Sequence, residues 1–292
     1  MTNEQNIKTT LSNLASSIAH QPKFYIGTSG AAMIWEVPTG SNEARTWDDV
    51  SDIDDILAQP ESVIHITADR IVQGGNDLHP LLHTAIVSPT FVAGISPSVK
   101  RPTPLVFPAW LHVIKNLGTG VTVNGGQNKT NFVDVNKLAE LYVLLTGDAL
   151  EQIASSSATP KGPTTKLDTW GPKAYYFGAS LEVTFHKLMA DIFLPALKKS
   201  GAPYFDSDTP KIKDMDDVEK IVAMTKTLYA AQPGGEIWAS HIAEGFAVDM
   251  RARGSRAEQV FKDKGFKWMG EGDAQDAGLA EAVKVFVELE KA

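Results

Sequence analysis

Cysteine is absent from this chain of 292 residues, and long hydrophobic runs are absent as well. Without cysteine there is no disulfide framework, no thiolate nucleophile and no cysteine-based zinc site, which is typical of a reducing compartment. No window of about 18 apolar residues exists, which excludes a transmembrane helix. Residues 1–20 are polar and follow an amphipathic helical pattern rather than that of a signal peptide. We therefore expect a cytoplasmic protein.

Positive charge is also scarce, with 27 Lys and Arg against 35 Asp and Glu and a formal net charge of −8. Nucleic acids and anionic membranes attract clustered basic residues, so we expect neither as a partner. The seven histidines show no short ligand spacing with acidic residues, and we expect no metal site. The sequence has no P-loop and no Gly-x-Ser-x-Gly turn either.

The glycine-rich turn that holds a dinucleotide pyrophosphate is missing too. No Gly-x-Gly-x-x-Gly or Gly-x-x-Gly-x-x-Gly sequence follows a predicted strand. Such a turn lets the backbone approach the pyrophosphate closely at the N-terminus of a helix. The pyrophosphate site of a dinucleotide is therefore assigned to no segment.

What the sequence does contain is an alternation of helical patterns with short apolar strands. Residues 23–28 and 84–92 are the two clearest strands, and continuous apolar runs of this kind are typical of parallel strands buried on both faces. Beyond about residue 150 the patterns are mostly helical. The chain therefore predicts an α/β fold followed by a mainly helical region.

Both of these strands end in residues that are able to bind a ligand. Thr28-Ser29-Gly30 follows the first strand, and Ser88-Pro89 ends the apolar core of the second, just before Val92. In an open α/β sheet, ligands bind beyond the carboxyl ends of the strands. An ordinary Ser-Gly turn and a simple strand terminator explain the same residues when each segment is taken alone.

A third candidate lies on the predicted helix 61–74, which carries His65 and Asp69 four residues apart and Arg70 beside them. This spacing places the first two side chains on one face of a helix, where His65 would be a base and Asp69 its orienting carboxylate. A pair of surface residues without a function explains the spacing equally well.

Taken in order, four segments resemble the extended short-chain dehydrogenase/reductase superfamily, near its NmrA-like and nucleoside-diphosphate-sugar epimerase/dehydratase-like proteins. The segments are Phe24–Gly30, Thr84–Gly94, Asn131–Ala139 and Arg253–Trp268. The resemblance implies a partial Rossmann-like parallel sheet with a smaller, mainly helical C-terminal substrate lobe. Residues 1–95 would form the Rossmann-like portion, and residues 96–292 the substrate lobe, interleaved with the late strands of the sheet.

The resemblance places Ser29 at the position of the catalytic serine. The Tyr-x-x-x-Lys pair of these proteins aligns with Ile66 and Arg70, and an isoleucine cannot transfer a proton, so the standard tyrosine-based hydride mechanism is not encoded. His65 or Arg70 would then take part in proton transfer or charge stabilisation. A tyrosine from elsewhere in the chain is the alternative, with Tyr175 and Tyr176 as candidates.

The resemblance also implies NAD or NADP as cofactor, although the missing turn argues for weak or absent binding of a dinucleotide. Ser88, Pro89 and Val92 would contact a bound nicotinamide. The residues expected to line the substrate pocket are Thr28, Trp35, Trp110 and Phe132.

Members of the superfamily begin with additional strand–helix units that carry the glycine-rich turn, and we expect that half to be missing here. The strand 23–28 would then be an unpaired, apolar edge. Pairing of two chains across this edge into a homodimer would cover it, and so would residues 1–20. A shortened gene product whose family function is gone is a third possibility.

Two functions follow. One is an enzyme acting on a small organic or secondary-metabolite substrate, either as an NAD(P)-dependent oxidoreductase or epimerase or, without a dinucleotide, as an isomerase, cyclase or dehydratase. The other is a non-catalytic NmrA-like binding or regulatory protein, or a truncated pseudoenzyme, and the missing tyrosine favours it.

Overall fold

The computed structural model describes residues 4–41, 44–97, 103–155, 167–202, 211–216, 218–229, 235–269 and 278–291. Its strands are β1 (Lys23–Thr28), β2 (Trp47–Asp48), β3 (Leu82–Pro89), β4 (Phe91–Ala93), β5 (Gly120–Val123), β6 (Lys129–Asp134), β7 (Tyr175–Gly178), β8 (Leu181–Thr184), β9 (Ile212–Met215) and β10 (Ala252–Arg253). Its helices are α1 (Glu4–Ser16), α2 (Ile53–Leu57), α3 (Ile66–Gly74), α4 (Phe107–Leu117), α5 (Val135–Ala154), α6 (Phe185–Lys187), α7 (Leu194–Lys199), α8 (Glu219–Tyr229), α9 (Gly235–Glu244), α10 (Ser255–Val260) and α11 (Leu279–Lys291).

The main sheet has the order β1-β3-β7, and all three strands are parallel. Ile26 of β1 pairs with Ala85 of β3, and Ile86 of β3 pairs with Tyr175 of β7. Parallel neighbours require long crossover connections, and α3 supplies the one between β1 and β3. The carboxyl ends of β1 and β3 consequently lie at the same edge of the sheet. Within the described residues, β1 has a strand partner on one side only.

Successive side chains of the sheet belong to two different cores, one on each face. Ile86 and Tyr175 pack with α2 and α3 on one face, whereas Val87 and Tyr176 pack with α5 and α10 on the other. This division follows from the two-residue period of a strand. It explains why the centre of β3, Ala85–Val87, is apolar on both faces, because both faces are buried there.

A third core is built by α4, α8, α9, α11 and the helical stretch 185–199. Trp110 and Phe132 lie in it with no exposed surface, and the Trp110 indole donates a hydrogen bond to the carbonyl of Ile242. Three smaller strand groups surround this core and the main sheet: β4-β6-β8, β5-β9 and β10-β2.

The predicted α/β fold with a parallel, Rossmann-like sheet is confirmed. The helix expected over 61–74 begins later, at Ile66, because residues 61–65 form turns after Pro60. Strand β9 lies in the region expected to be mostly helical; it carries Lys213 and Asp214 and has no apolar pattern.

Helix α5 is the longest helix of the described residues and begins at Asp134, whose carboxylate accepts hydrogen bonds from the backbone amides of Asn136 and Lys137. Asp134 is therefore the N-cap of this helix. A search of the described helices found none with the length and hydropathy needed to cross a membrane.

Candidate functional site

Ser29 lies directly after the carboxyl end of β1. Its backbone amide extends the pairing with β3 by donating to the carbonyl of Val87 at 2.8 Å. Its side chain is half-buried, and the hydroxyl donates a hydrogen bond of 2.8 Å to Oδ2 of Asp69. The serine therefore stands between the protein surface and a buried carboxylate.

Asp69 lies in the first turn of α3 and is only 5% exposed. Its Oδ2 atom accepts a second hydrogen bond, of 3.0 Å, from the hydroxyl of Tyr175. Burial raises the pKa of Asp69 to about 6, although the hydrogen bonds from Ser29 and Tyr175 lower it. At neutral pH this carboxyl group is consequently able both to bind and to release a proton.

Tyr175 is the first residue of β7 and is fully buried. Burial, together with the nearby Asp69 carboxylate, holds the pKa of Tyr175 well above its usual value. The phenol therefore keeps its single proton. Its oxygen is 2.7 Å from Sδ of Met33 and 3.0 Å from Oδ2 of Asp69, and the carboxylate is the stronger acceptor of that proton. Tyr175 does not replace the phenolate of the Tyr-x-x-x-Lys pair.

His65 precedes α3 in a backbone conformation with φ of +74°, which is uncommon for a residue other than glycine. Its Nε2 atom is 2.9 Å from where a Cβ atom on Gly30 would stand, so the ring packs directly against the residue after Ser29. Partial burial and the nearby His241 lower the pKa of His65, which keeps the imidazole neutral. Strained backbone of this kind concentrates at functional sites.

Helix α9 approaches this region through His241. The ring of His241 packs edge-on against Trp35, with 6.0 Å between the ring centroids, and Nδ1 of His241 is 3.5 Å from a carboxylate oxygen of Glu244. Trp35 also packs against Phe91 at 6.0 Å. The region around Ser29, His65 and His241 of α9 is therefore the candidate active site, and we call this region the cleft.

Arg70, the second predicted catalytic residue of α3, points away from Ser29. Its guanidinium donates to the carbonyls of Leu57 and Gln59 and contacts Glu61 at 3.4 Å. It stabilises the segment before α3. Of the two predicted proton-transfer residues, only His65 is placed beside Gly30, and its predicted partner Asp69 bonds to Ser29 and Tyr175 instead.

The residues predicted to line a substrate pocket lie in three different places in the structure. Trp35 borders the cleft. Thr28 is exposed, and its hydroxyl is 2.6 Å from that of Tyr142 on α5. Trp110 and Phe132 are buried in the third core, where aromatic rings surround them. Both contact Phe91 and have no exposed surface.

The residues predicted to contact a nicotinamide also differ in their exposure. Ser88 has no exposed surface and its hydroxyl has no hydrogen-bond partner among the described residues, so its side chain faces the protein interior. Pro89 and Val92 are half-buried, and a surface pocket of about 210 Å³ lies between Val92, Gly94 and Leu105.

None of the described strands is followed by the glycine-rich turn that binds a dinucleotide pyrophosphate. The turn after β1 leads into a short helical segment at Ala31–Ile34 and lacks the glycine spacing of a pyrophosphate site. Of the three predicted nicotinamide contacts, only Val92 lines the surface pocket. In the same described ranges, no group of three or more His, Asp or Glu residues is placed to hold a metal ion.

Sequence reasoning did not identify Asp69 as the partner of Ser29, nor His241 as a neighbour of the site. Tyr175 was considered only as a tyrosine that reaches in from elsewhere, and it does reach Asp69. The available signal was its position at the start of an apolar strand, which places it in a sheet but not beside a particular carboxylate.

No protein-family model matches the sequence, and no curated protein matches it. Solved structures do match. The terminal R domain from the myxalamid PKS-NRPS biosynthetic pathway has 10% identity and a TM-score of 0.53, with 97% of this chain and 71% of that chain covered. DesIV, the dTDP-glucose 4,6-dehydratase from Streptomyces venezuelae, has 14% identity and a TM-score of 0.53, with 99% and 67% covered.

A third match is the PbgP3 protein from Burkholderia pseudomallei, with 13% identity and a TM-score of 0.54 over 99% of this chain and 71% of that chain. Identities this low establish a likeness of fold and not of activity. These matches show that the chain shares its overall fold with these solved structures.

Proposed function

We propose that the chain binds a small organic substrate in the cleft beside Ser29 and catalyses acid–base chemistry of the isomerase, dehydratase or cyclase type, without hydride transfer. One observation carries this proposal: a half-buried serine at the carboxyl end of β1 is bonded to a buried carboxylate, with the neutral His65 packed against the next residue. Carboxyl ends of parallel strands are where ligands bind in such sheets.

The two ionisable groups have complementary roles. Burial raises the pKa of Asp69 to about 6, whereas it lowers the pKa of His65. Near pH 6 the site therefore holds a carboxyl group that is able to give up a proton and an imidazole that is able to take one. In this proposal Ser29 donates a hydrogen bond to a carbonyl oxygen of the substrate, and His65 removes a proton from the adjacent carbon.

The structural neighbours support this class of chemistry. DesIV is a dTDP-glucose 4,6-dehydratase whose structure holds NAD and TYD. The resemblance implies NAD or NADP for this chain as well. Because the described residues lack a pyrophosphate site, we propose that the acid–base step proceeds without either cofactor.

Deuterium exchange tests the proposal before the natural substrate is known. The protein is incubated in D₂O with α-hydroxy ketones and α-hydroxy aldehydes, and deuterium in the recovered compound is measured by mass spectrometry. We expect incorporation that is lost in Ser29→Ala and retained in Ser51→Ala, a surface serine outside the cleft. Absence of incorporation across the panel overturns the proposal.

Titration calorimetry with NADH and NADPH tests the cofactor separately. We expect no binding at millimolar concentrations. Micromolar binding would overturn the dinucleotide-free mechanism and restore the oxidoreductase or epimerase function that the resemblance implies.

A specific observation favours a second function, that of a non-catalytic NmrA-like binding or regulatory protein. Ile66, at the position of the catalytic tyrosine, is 2% exposed and packs in the core, and Tyr175 is sealed from solvent. Under this function the cleft binds a small molecule without turning it over. Saturable binding of a panel compound without deuterium exchange would favour it.

We also propose that two copies associate through β1, giving a homodimer, and that neither nucleic acid nor a membrane is a partner. Phe24 and Ile26 of β1 are only half-buried, and the strand has one neighbour among the described residues. Sedimentation at tens of micromolar tests this. We expect a dimer, and a well-behaved monomer would exclude obligate pairing through β1.

A further inference from the structure

We propose that Asp69 is the proton reservoir of the cleft, that it exchanges protons with the substrate through the Ser29 hydroxyl, and that Tyr175 is a positioning residue for Asp69. This inference rests on the proposed acid–base function. It assigns roles to two residues that the Tyr-x-x-x-Lys pattern does not include.

The geometry supplies the first argument. Three elements converge on one oxygen, because the hydroxyls of Ser29 after β1 and Tyr175 on β7 both donate to Oδ2 of Asp69 on α3, at 2.8 Å and 3.0 Å. Two donors on one carboxylate oxygen fix the rotation of the carboxyl group. Asp69 is therefore held in one orientation towards Ser29.

Accessibility supplies the second argument. Asp69 is 5% exposed and Tyr175 is 1% exposed, whereas Ser29 is half-buried at the surface of the cleft. A ligand in the cleft meets the serine first. A proton moving between that ligand and Asp69 accordingly passes through the Ser29 hydroxyl.

The proton balance closes without a redox partner. When a carbonyl substrate enolises, its α-proton goes to Nε2 of His65 while Ser29 gives its hydroxyl proton to the carbonyl oxygen. The Ser29 oxygen takes a proton from the protonated Asp69 in the same step. One C–H bond is broken and one O–H bond is formed on the substrate, Ser29 is unchanged, His65 becomes protonated and Asp69 becomes ionised.

Tyr175 has a different role because it is too deeply buried to touch the substrate. Its phenol remains protonated over the working pH range, so it stabilises the ionised form of Asp69 by donating to it. Among the described residues, Tyr175 from β7 is the titratable side chain hydrogen-bonded to Asp69, and His65 contacts Asp69 through its backbone carbonyl. Arg70, next in sequence, is directed to Glu61 and to backbone carbonyls.

The first experiment requires no substrate. The carboxyl group of Asp69 is titrated by NMR with ¹³C-labelled aspartate, in the wild type and in Tyr175→Phe. We expect a midpoint near 6 that moves upward in Tyr175→Phe, since one stabilising hydrogen bond is lost, and that is unchanged in Tyr176→Phe. Tyr176 is the matched control, because it is the next residue of β7, is also buried and donates to the carbonyl of Thr169 on the other face.

The second experiment follows deuterium exchange as a function of pH. Asp69→Asn, which preserves shape, should lower kcat at least 100-fold while KM changes less than threefold, and melting followed by circular dichroism checks its folding. Tyr175→Phe should move the alkaline limb of the kcat profile upward, whereas Tyr176→Phe should not. Equal profiles for the two tyrosine variants, or exchange by Asp69→Asn within threefold of wild type, would overturn the proton relay from Asp69 through Ser29 to the substrate.

Failure of the relay and failure of the proposed function give different results. If the midpoint of Asp69 lies near 4 and does not respond to Tyr175→Phe while exchange is observed, the relay is wrong and the acid–base function stands. If no compound exchanges although Asp69 titrates as expected, the relay loses its catalytic role together with the proposed function.

Discussion

Asp49 and Asp69 are both buried carboxylates beside the main sheet, yet they bond to different kinds of partner. Asp49 has no exposed surface and accepts hydrogen bonds from two backbone amides, those of Phe177 on β7 and Arg256 on α10, each at 2.8 Å. Asp69 accepts from two hydroxyls, and one of them is at the surface of the cleft. Burial raises the pKa of both groups, to about 8 for Asp49 and to about 6 for Asp69.

The difference shows that a perturbed pKa does not by itself mark a catalytic group. Backbone amides cannot carry a proton to a ligand, so Asp49 joins β7 to α10 and has a structural role. A serine hydroxyl is able to pass a proton on, so Asp69 has a route to the surface. The partners of a buried carboxylate therefore distinguish the two roles better than its burial does.

Removal of Asp49 should have the largest effect on stability. Asp49→Ala leaves the amides of Phe177 and Arg256 buried without an acceptor, and at about 1–3 kcal/mol for each unsatisfied group we expect a loss of about 3 kcal/mol. Asp69→Asn keeps an acceptor for its donors and should cost less than about 1 kcal/mol. Urea denaturation measures the free energy of unfolding of both variants. Equal losses would contradict the assignment of a structural role to Asp49 and not to Asp69.

The pH dependence of stability should separate the same two residues. Each aspartate has a higher pKa folded than its unfolded value of about 3.9, so the unfolded chain releases these protons first and stability falls as pH rises. Relative to Asp69→Asn, the wild type should lose stability between about pH 4 and 6, and relative to Asp49→Asn the loss should continue to about pH 8. Denaturation at a series of pH values tests this, and parallel curves for all three proteins would contradict it.

The smallest expected change in stability concerns Gly30, the residue after Ser29, which packs against His65. In Gly30→Ala the new methyl group would stand 2.9 Å from Nε2 of His65, and the ring would be displaced from the cleft at a cost of less than about 1 kcal/mol. Gly74→Ala is the matched control, since its methyl group meets nothing within 4 Å and should stabilise α3 by about 0.5–1 kcal/mol.

NMR titration of His65 compares the Gly30→Ala and Gly74→Ala variants. We expect the pKa of His65 to rise towards its ordinary value in Gly30→Ala, because the displaced ring gains water, and to remain unchanged in Gly74→Ala. An unchanged titration in both variants would show that Gly30 does not hold the ring in place.

Sequence patterns were sufficient to predict the strands whose side chains are largely buried or half-buried. The predicted strand 23–28 corresponds to β1, and the predicted strand 84–92 overlaps β3, whose centre is buried on both faces and needs an apolar run. Strand β9 was missed because its pairing with β5, and not its composition, makes it a strand.

The candidate site was predictable only in part. Ser29 follows from its position after an apolar strand, since strand ends are binding positions in this class of sheet. The bond between Asp69 and Tyr175 spans 106 residues of sequence, and no local pattern encodes it. The approach of His241 to Trp35 depends in the same way on how α9 packs against the first half of the chain.

The distances along the chain between bonded residues also set an order of assembly. Ser29 and Asp69 are synthesised early, but Tyr175 emerges 106 residues after Asp69, and the amide of Arg256 that completes the Asp49 contacts comes 207 residues after that aspartate. A nascent chain that ends before β7 thus has its serine and its carboxylate but not the donor that orients them. A ribosome must complete most of the polypeptide before this protein acquires a formed cleft.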